Sequence, residues 1–402
     1  MFAIIANICL FGGLLIRQLC KYKSLTASCV LISLYVLIAV GGVVFIDNKE
    51  IISNLSVLFS FYFFFVVYLF FIPVLNTNAF NYRIKFNDNK VLKLILYTYV
   101  IMAIISSMGY LGYIIKVFST GDWVNIKANA YNAEMDLPNG IVSILSRIVV
   151  SVLSYAVLIY GFWCLTNENK KFREALFWII ISIFPTLIAD LASAYRGGIL
   201  ISILMVLYLY VLFRKDMIER NKAYIKIFGV CLLAFLSILI LAISISRFES
   251  DFIESLLSYF GQSFINYDYG IASRIHSISG GKFFLGNLIN LDMDQIMIDS
   301  LYGMKTNNGQ DLNTFVGIMI FDYGFIMTVI IALILSRTFY RMFRRKRLDL
   351  ATMYIYVFYV HFLFNGAFHF PWNYAQKCLY AFLIYIMLKV SNKLVFKFNS
   401  QV

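Results

Sequence analysis

Ser246-Arg-Phe-Glu-Ser-Asp-Phe-Ile-Glu-Ser-Leu-Leu-Ser-Tyr-Phe-Gly-Gln-Ser-Phe-Ile-Asn-Tyr-Asp-Tyr-Gly-Ile-Ala-Ser-Arg-Ile-His276 opens the one long segment of this chain that is too polar to sit in lipid. The segment runs on to Asn313 and lies between two strongly apolar runs. A connection that only links two helices is far shorter, so an elaborated one marks a place where work is done. Phe252, Leu256, Phe260 and Phe264 recur every four residues, with Glu254, Ser255, Ser258 and Gln262 between them. That spacing predicts an amphipathic helix with one apolar stripe, suited to lying along a bilayer surface. A second stripe (Ile289, Met293, Ile296, Met297) alternates with Asp292, Asp294, Gln295 and Asp299 and predicts a second surface helix. Tyr267 to His276 joins the two.

Outside this loop the chain is apolar runs with short connections. Of its 402 residues 61% are hydrophobic and 14% charged, with a mean hydropathy of +0.80. Soluble domains carry about 25% charge, so this composition belongs in a membrane. Spans need roughly 20 apolar residues. They are expected at 2–19, 25–46, 51–75, 91–118, 141–165, 175–193, 197–213, 226–246, 313–336, 350–368 and 372–390. The expected fold is therefore all-α, a polytopic integral membrane protein of about eleven transmembrane helices. It forms a single membrane domain over 1–402, with 247–312 as a large extracytoplasmic loop covering the active site. Pro185 is expected to kink the sixth span.

The basic residues set the orientation. Of 34 Lys and Arg, 24 fall in Arg17–Lys23, Arg83–Lys93, Lys170–Arg173, Arg214–Lys226, Arg337–Arg347 and Lys389–Lys397. These connections alternate with the others without a break, so they read as cytoplasmic. The N-terminus and the long loop then lie outside and the C-terminus inside. The net charge of +13 is thereby a topology signal, and Arg341–Arg347 reads as an anchor against anionic lipid, with no nucleic acid involved. No cleavable signal is expected, because no basic residue precedes the first apolar run. Cys9, Cys20, Cys29, Cys164, Cys231 and Cys378 all lie in or beside apolar runs. Their spacing suggests neither a disulfide framework nor a zinc site, and no metal or cofactor motif stands elsewhere.

Three arginines break the charge rule by facing outward. Arg196 stands in Ala194-Tyr-Arg-Gly-Gly198, just before a helix whose outward N-terminus favours an anion. Its functional reading is a phosphate clamp; its bland one is an arginine snorkelling to the headgroups. Arg247 ends the eighth span and Arg274 lies within the loop, which holds four basic and eight acidic residues. Each either holds an anion or merely folds the loop by pairing with Glu249, Asp251 or Asp268. Asp268 and His276, both expected to face water near Arg274, are the acid/base candidates. Asp190 reads as a structural partner for an arginine, and Asp322 as an organiser of the helix start beneath the loop. His361 and His369 read as packed or interfacial residues rather than a metal pair.

The layout, with Ser193-Ala-Tyr-Arg-Gly-Gly-Ile199 and the run from Thr314-Phe-Val-Gly to Phe321-Asp-Tyr-Gly-Phe325, resembles the bacterial O-antigen and capsule repeat-unit polymerases. Some members carry Arg-x(10)-Gly in an outer loop; here Gly286 follows Arg274 with eleven residues between. The resemblance implies a GT-C-like membrane glycosyltransferase of the bacterial inner (plasma) membrane. It would join undecaprenyl-pyrophosphate-linked oligosaccharides head to tail on the outer face, without a cofactor. Membrane lipid and a chain-length regulator in the membrane would be its partners. Planar arginine donors suit a pyrophosphate leaving group, which assigns Arg196, Arg247 and Arg274 to substrate binding and Asp268 and His276 to catalysis. The nearest alternative is an O-antigen ligase with a similar scaffold and lipid donor. A lipid-linked oligosaccharide flippase or transporter is more distant, since no internal repeat is visible.

Overall fold

The computed structural model describes residues 1–45, 55–75, 90–120, 141–193, 197–245, 252–289, 296, 300, 314–344, 348–368 and 374–399. Every regular element among them is helical. In chain order they are α1 (Phe2–Tyr22), α2 (Ala27–Phe45), α3 (Val57–Leu75), α4 (Lys90–Met108), α5 (Leu111–Thr120), α6 (Ile141–Cys164) and α7 (Phe172–Ala192). Then follow α8 (Gly197–Phe213), α9 (Glu219–Ile245), α10 (Phe252–Ile265), a π-helical turn (Asn266–Ala272), α11 (Lys282–Ile289), α12 (Phe315–Phe343), α13 (Leu350–Gly366) and α14 (Tyr374–Asn399). Seven of them, α1 to α4, α6, α7 and α12, are long and apolar enough to cross a membrane. An all-α membrane protein is the result. The expected span at 91–118 is not one helix: a turn at Gly109-Tyr110 separates α4 from α5.

The chain forms two compact units. The first comprises Met1–Asn81, Ile253–Lys346 and Tyr359–Tyr380. Its core is aromatic, with Phe11, Tyr35, Phe63 and Phe71 interlocked at ring separations of 5.0 to 6.4 Å. Tilted and edge-on pairs of this kind add to the burial of the rings themselves. Buried tyrosines must also place a hydroxyl, and here they find main-chain oxygens: Tyr35 donates to Leu363 O at 2.9 Å and Tyr359 to Phe70 O at 2.6 Å.

α10 belongs to this core, which corrects the expectation of a surface-lying helix. Phe260 and Phe264 are buried, against Phe368 at 5.3 Å and Phe63 at 5.7 Å. The reason is a glycine crossing. A Cβ at Gly261 would overlap the Gly41 backbone, and one at Gly41 would meet Gly261 N at 2.8 Å. Only two glycines let α10 approach α2 so closely, as in membrane helix pairs generally. The second expected stripe falls mostly on 290–295 and 297–299, outside the described residues.

The second unit comprises Tyr82–Phe252, Arg347–Phe358 and Ala381–Val402. α6 and α7 meet at Gly161, where a Cβ would stand 2.8 Å from Ile179 Cγ1. α7 runs on through Pro185 to Ala192. Proline has no N–H, so the carbonyl four residues back, Ile181, loses its helical donor. Tyr99 of α4 supplies one from the side, its hydroxyl 3.2 Å from Ile181 O and 3.1 Å from Ser182 O. Asp349 caps α13 by accepting from Thr352 N at 2.9 Å and pairs with Lys389 of α14.

Candidate functional site

The site is assembled in the first unit from α12, α10 and the turns between. Thr314 begins α12 as a side-chain cap, accepting from Gly317 N at 3.3 Å. Seven residues into the helix comes Asp322-Tyr-Gly324. Gly324 has φ 76° and ψ 172°, outside helical geometry and in the region that favours glycine, so α12 breaks there. Asp322 is buried just before the break, and its carboxylate gathers three donors. The Ser279 hydroxyl donates to it, as do Phe283 N at 3.0 Å and Phe284 N at 2.8 Å.

The main chain repeats the tie. Ser279 N donates to Phe321 O at 3.0 Å and Gly280 N to Asp322 O at 2.9 Å. Gly280 and Gly281, at φ 68° and 87°, make the tight corner that permits this. The carboxylate also sits at the amide-rich start of α11, where a negative charge is favoured. Asp322 was expected to organise the start of its own span beneath the loop; the helix start it holds is instead that of α11, within the loop.

Asp268 lies in the π-helical turn, an irregularity that often accompanies function. It is 0% exposed, not the water-facing residue its neighbours in sequence suggest. The docking of α10 draws the turn inward. Both carboxylate oxygens of Asp268 accept from Ser56 N, at 3.1 and 3.3 Å, just ahead of α3. Tyr267 beside it donates to Phe59 O at 3.0 Å. Burial pushes the Asp268 carboxyl up to about 7, with the Ser56 amide pulling the other way.

Arg274 stands at the exit of that turn. Its main-chain N–H donates to Ile271 O at 2.9 Å, and its guanidinium lies 4.3 Å from the Tyr269 ring centre. Arg274 is half-buried, and no carboxylate among the described residues pairs with it. Asp268, the nearest acid in sequence, is spent on Ser56. His276 is exposed, with its main-chain N–H donating to Ser300 O at 3.2 Å. The turn thus presents Arg274 and His276 on one short segment, with Asp268 beneath it as an anchor.

Arg196 and Arg247 lie outside the described residues. In the second unit the start of α8 is nonetheless instructive. The amides expected to favour a bound anion already face a carboxyl group. Asp190 accepts from Ile199 N, and a Cβ at Gly198 would overlap its carboxylate. Asp190 is buried and its Oδ2 has no hydrogen-bond partner among the described residues. Among those residues no three His, Cys, Asp or Glu side chains converge as metal ligands would.

Sequence reasoning missed three contributors. The Gly280-Gly281 corner was visible as a dipeptide but had no assigned partner. Tyr269 and the Gly41–Gly261 crossing carried no local signal. The fold and this arrangement define an all-α protein whose long apolar helices are those of a membrane protein. No protein-family model, curated protein or solved structure matches the chain.

Proposed function

We propose that the protein is a membrane glycosyltransferase that joins lipid-pyrophosphate-linked oligosaccharides into a polysaccharide on the outer face of a bacterial plasma membrane. Eleven crossings, an outer N-terminus and a cytoplasmic C-terminus belong to this reading. The observation that carries it is Arg274, a half-buried guanidinium with no carboxylate partner among the described residues, held at the end of an anchored turn. An arginine needed only to fold the loop would be paired.

In the proposed reaction a sugar hydroxyl of one repeat unit attacks the anomeric carbon of another. The anomeric C–O bond breaks and its electron pair passes to the departing lipid pyrophosphate. Arg274 offers a planar fork to two of the phosphate oxygens, where charge develops. Arg196 and Arg247 remain proposed substrate-binding residues of the chain. The hydroxyl proton goes to His276, the exposed member of the acid/base pair. Asp268, closed off by burial, holds the turn that carries both.

The test is purified protein given lipid-pyrophosphate repeat units alone. Ladders of longer saccharides without a nucleotide sugar are expected. A strict need for a nucleotide sugar would refute the proposal, and transfer of preformed chains to a lipid-A-core acceptor would make the protein a ligase. Impermeant thiol reagents should label a cysteine placed at Asn308 in intact cells and spare one at Lys346. The reverse pattern would overturn the orientation.

A further inference from the structure

α8 and α9 form a hairpin in the second unit, covering the spans expected at 197–213 and 226–246. Between them, with Phe162 of α6 also in the lining, runs an open slot with about 200 Å³ of free space. One wall is Ile203, Val206 and Leu207, the other Gly229, Leu232 and Leu233. The lining is almost wholly apolar, with two polar groups, Tyr210 and Lys226, at the end nearest the Arg214–Glu219 turn. Gly229 leaves the slot open, since a Cβ there would meet nothing within 4 Å.

We infer that this slot holds one acyl chain of an anionic phospholipid, with its phosphate at Lys226 and Tyr210. Two observations decide the occupant. The first is the lining: apolar walls between helices of a membrane protein face hydrocarbon, and an unfilled groove forfeits dispersion contacts that a chain restores. The second is charge. Arg214, Lys215, Arg220, Lys222 and Lys226 cluster at this end against two acids, Asp216 and Glu219, and Glu219 pairs with Lys222 at 2.6 Å. Lys226 is exposed, two turns into α9, with its stem beside the slot. A lysine so placed lays its methylenes along apolar surface and delivers its ammonium to the headgroup level. Anionic headgroups are the ones it favours. A zwitterionic lipid would fill the slot but gain nothing from the basic end.

The experiment is native mass spectrometry of the full chain released from nanodiscs of equal phosphatidylglycerol and phosphatidylcholine. The wild type should retain phosphatidylglycerol in preference to phosphatidylcholine. Lys226→Gln should lower that preference about fivefold, the effect of one basic residue at a membrane surface. Gly229→Leu, which adds bulk where there is room and improves helix propensity, should lose bound lipid of both kinds. Equal retention of the two lipids by the wild type would overturn the inference. So would an unchanged preference in Lys226→Gln, or wild-type retention in Gly229→Leu. If Gly229→Leu gives no folded protein, the exposed Lys226→Gln position alone still decides.

Discussion

Asp268→Asn isolates the cost of ionising a carboxyl sealed under the loop. The Asp268 carboxyl is raised from 3.8 to about 7, chiefly by burial. Between those values the folded protein keeps a proton that the unfolded chain has released. Stability therefore falls as pH rises through this window and levels off above the folded value. At about 1.4 kcal/mol for each pH step, the full loss from this residue is about 4 kcal/mol. Asparagine cannot ionise and can still accept from Ser56 N, so the variant lacks this slope. Unfolding free energies of both proteins, measured in one detergent from pH 4 to pH 8, give the comparison. Their difference should move in favour of asparagine by about 4 kcal/mol across the range and stay flat above pH 7.5. Using the difference cancels every other titrating group. Parallel profiles would refute the reasoning, and so would a variant that loses ground as pH rises.

Four further outcomes are expected. Arg274→Lys keeps the charge but not the fork and should slow polymer formation about 10²–10³-fold at matched protein levels; a normal polysaccharide ladder would remove Arg274 from the site. Gly261→Ala forces a Cβ into the Gly41 backbone and should cost about 1–3 kcal/mol by denaturant unfolding, whereas Gly229→Ala, facing open space, should not destabilise. Tyr99→Phe strips the donor from the carbonyl beneath Pro185 and should destabilise by about 1–3 kcal/mol; no change would mean that the oxygen is satisfied otherwise. Asp322→Ala frees three donors at once and should open the Ser279–Phe284 corner to limited proteolysis while α12 stays protected.

Apolar runs longer than a soluble core needs made the helices legible, whereas the cap at Thr314 and the break at Gly324 fell inside a span read as one unbroken helix. What escaped was everything decided by partners distant in sequence. The stripe of Phe260 and Phe264 has the same period whether it meets lipid or protein; Gly41 decides, and nothing near Gly261 points to it. Asp268 sits among polar residues, so its burial follows only from where α10 docks. Arg196 had the right neighbours for an anion site, yet the amides beside it already face Asp190, which lies in the preceding helix. The turn at Gly109-Tyr110 was not read within the span at 91–118, because a single glycine within an apolar run does not by itself end a helix.

Asp322 stands two residues before the one residue of α12 that departs from helical geometry. The carboxylate that fastens the loop is thus mounted beside the joint of the helix it belongs to. Rotation about Gly324 would carry the Ser279–Phe284 corner with it, as a hinge carries a latch. Bending of α12 at that glycine and movement of the corner are therefore coupled through one carboxylate.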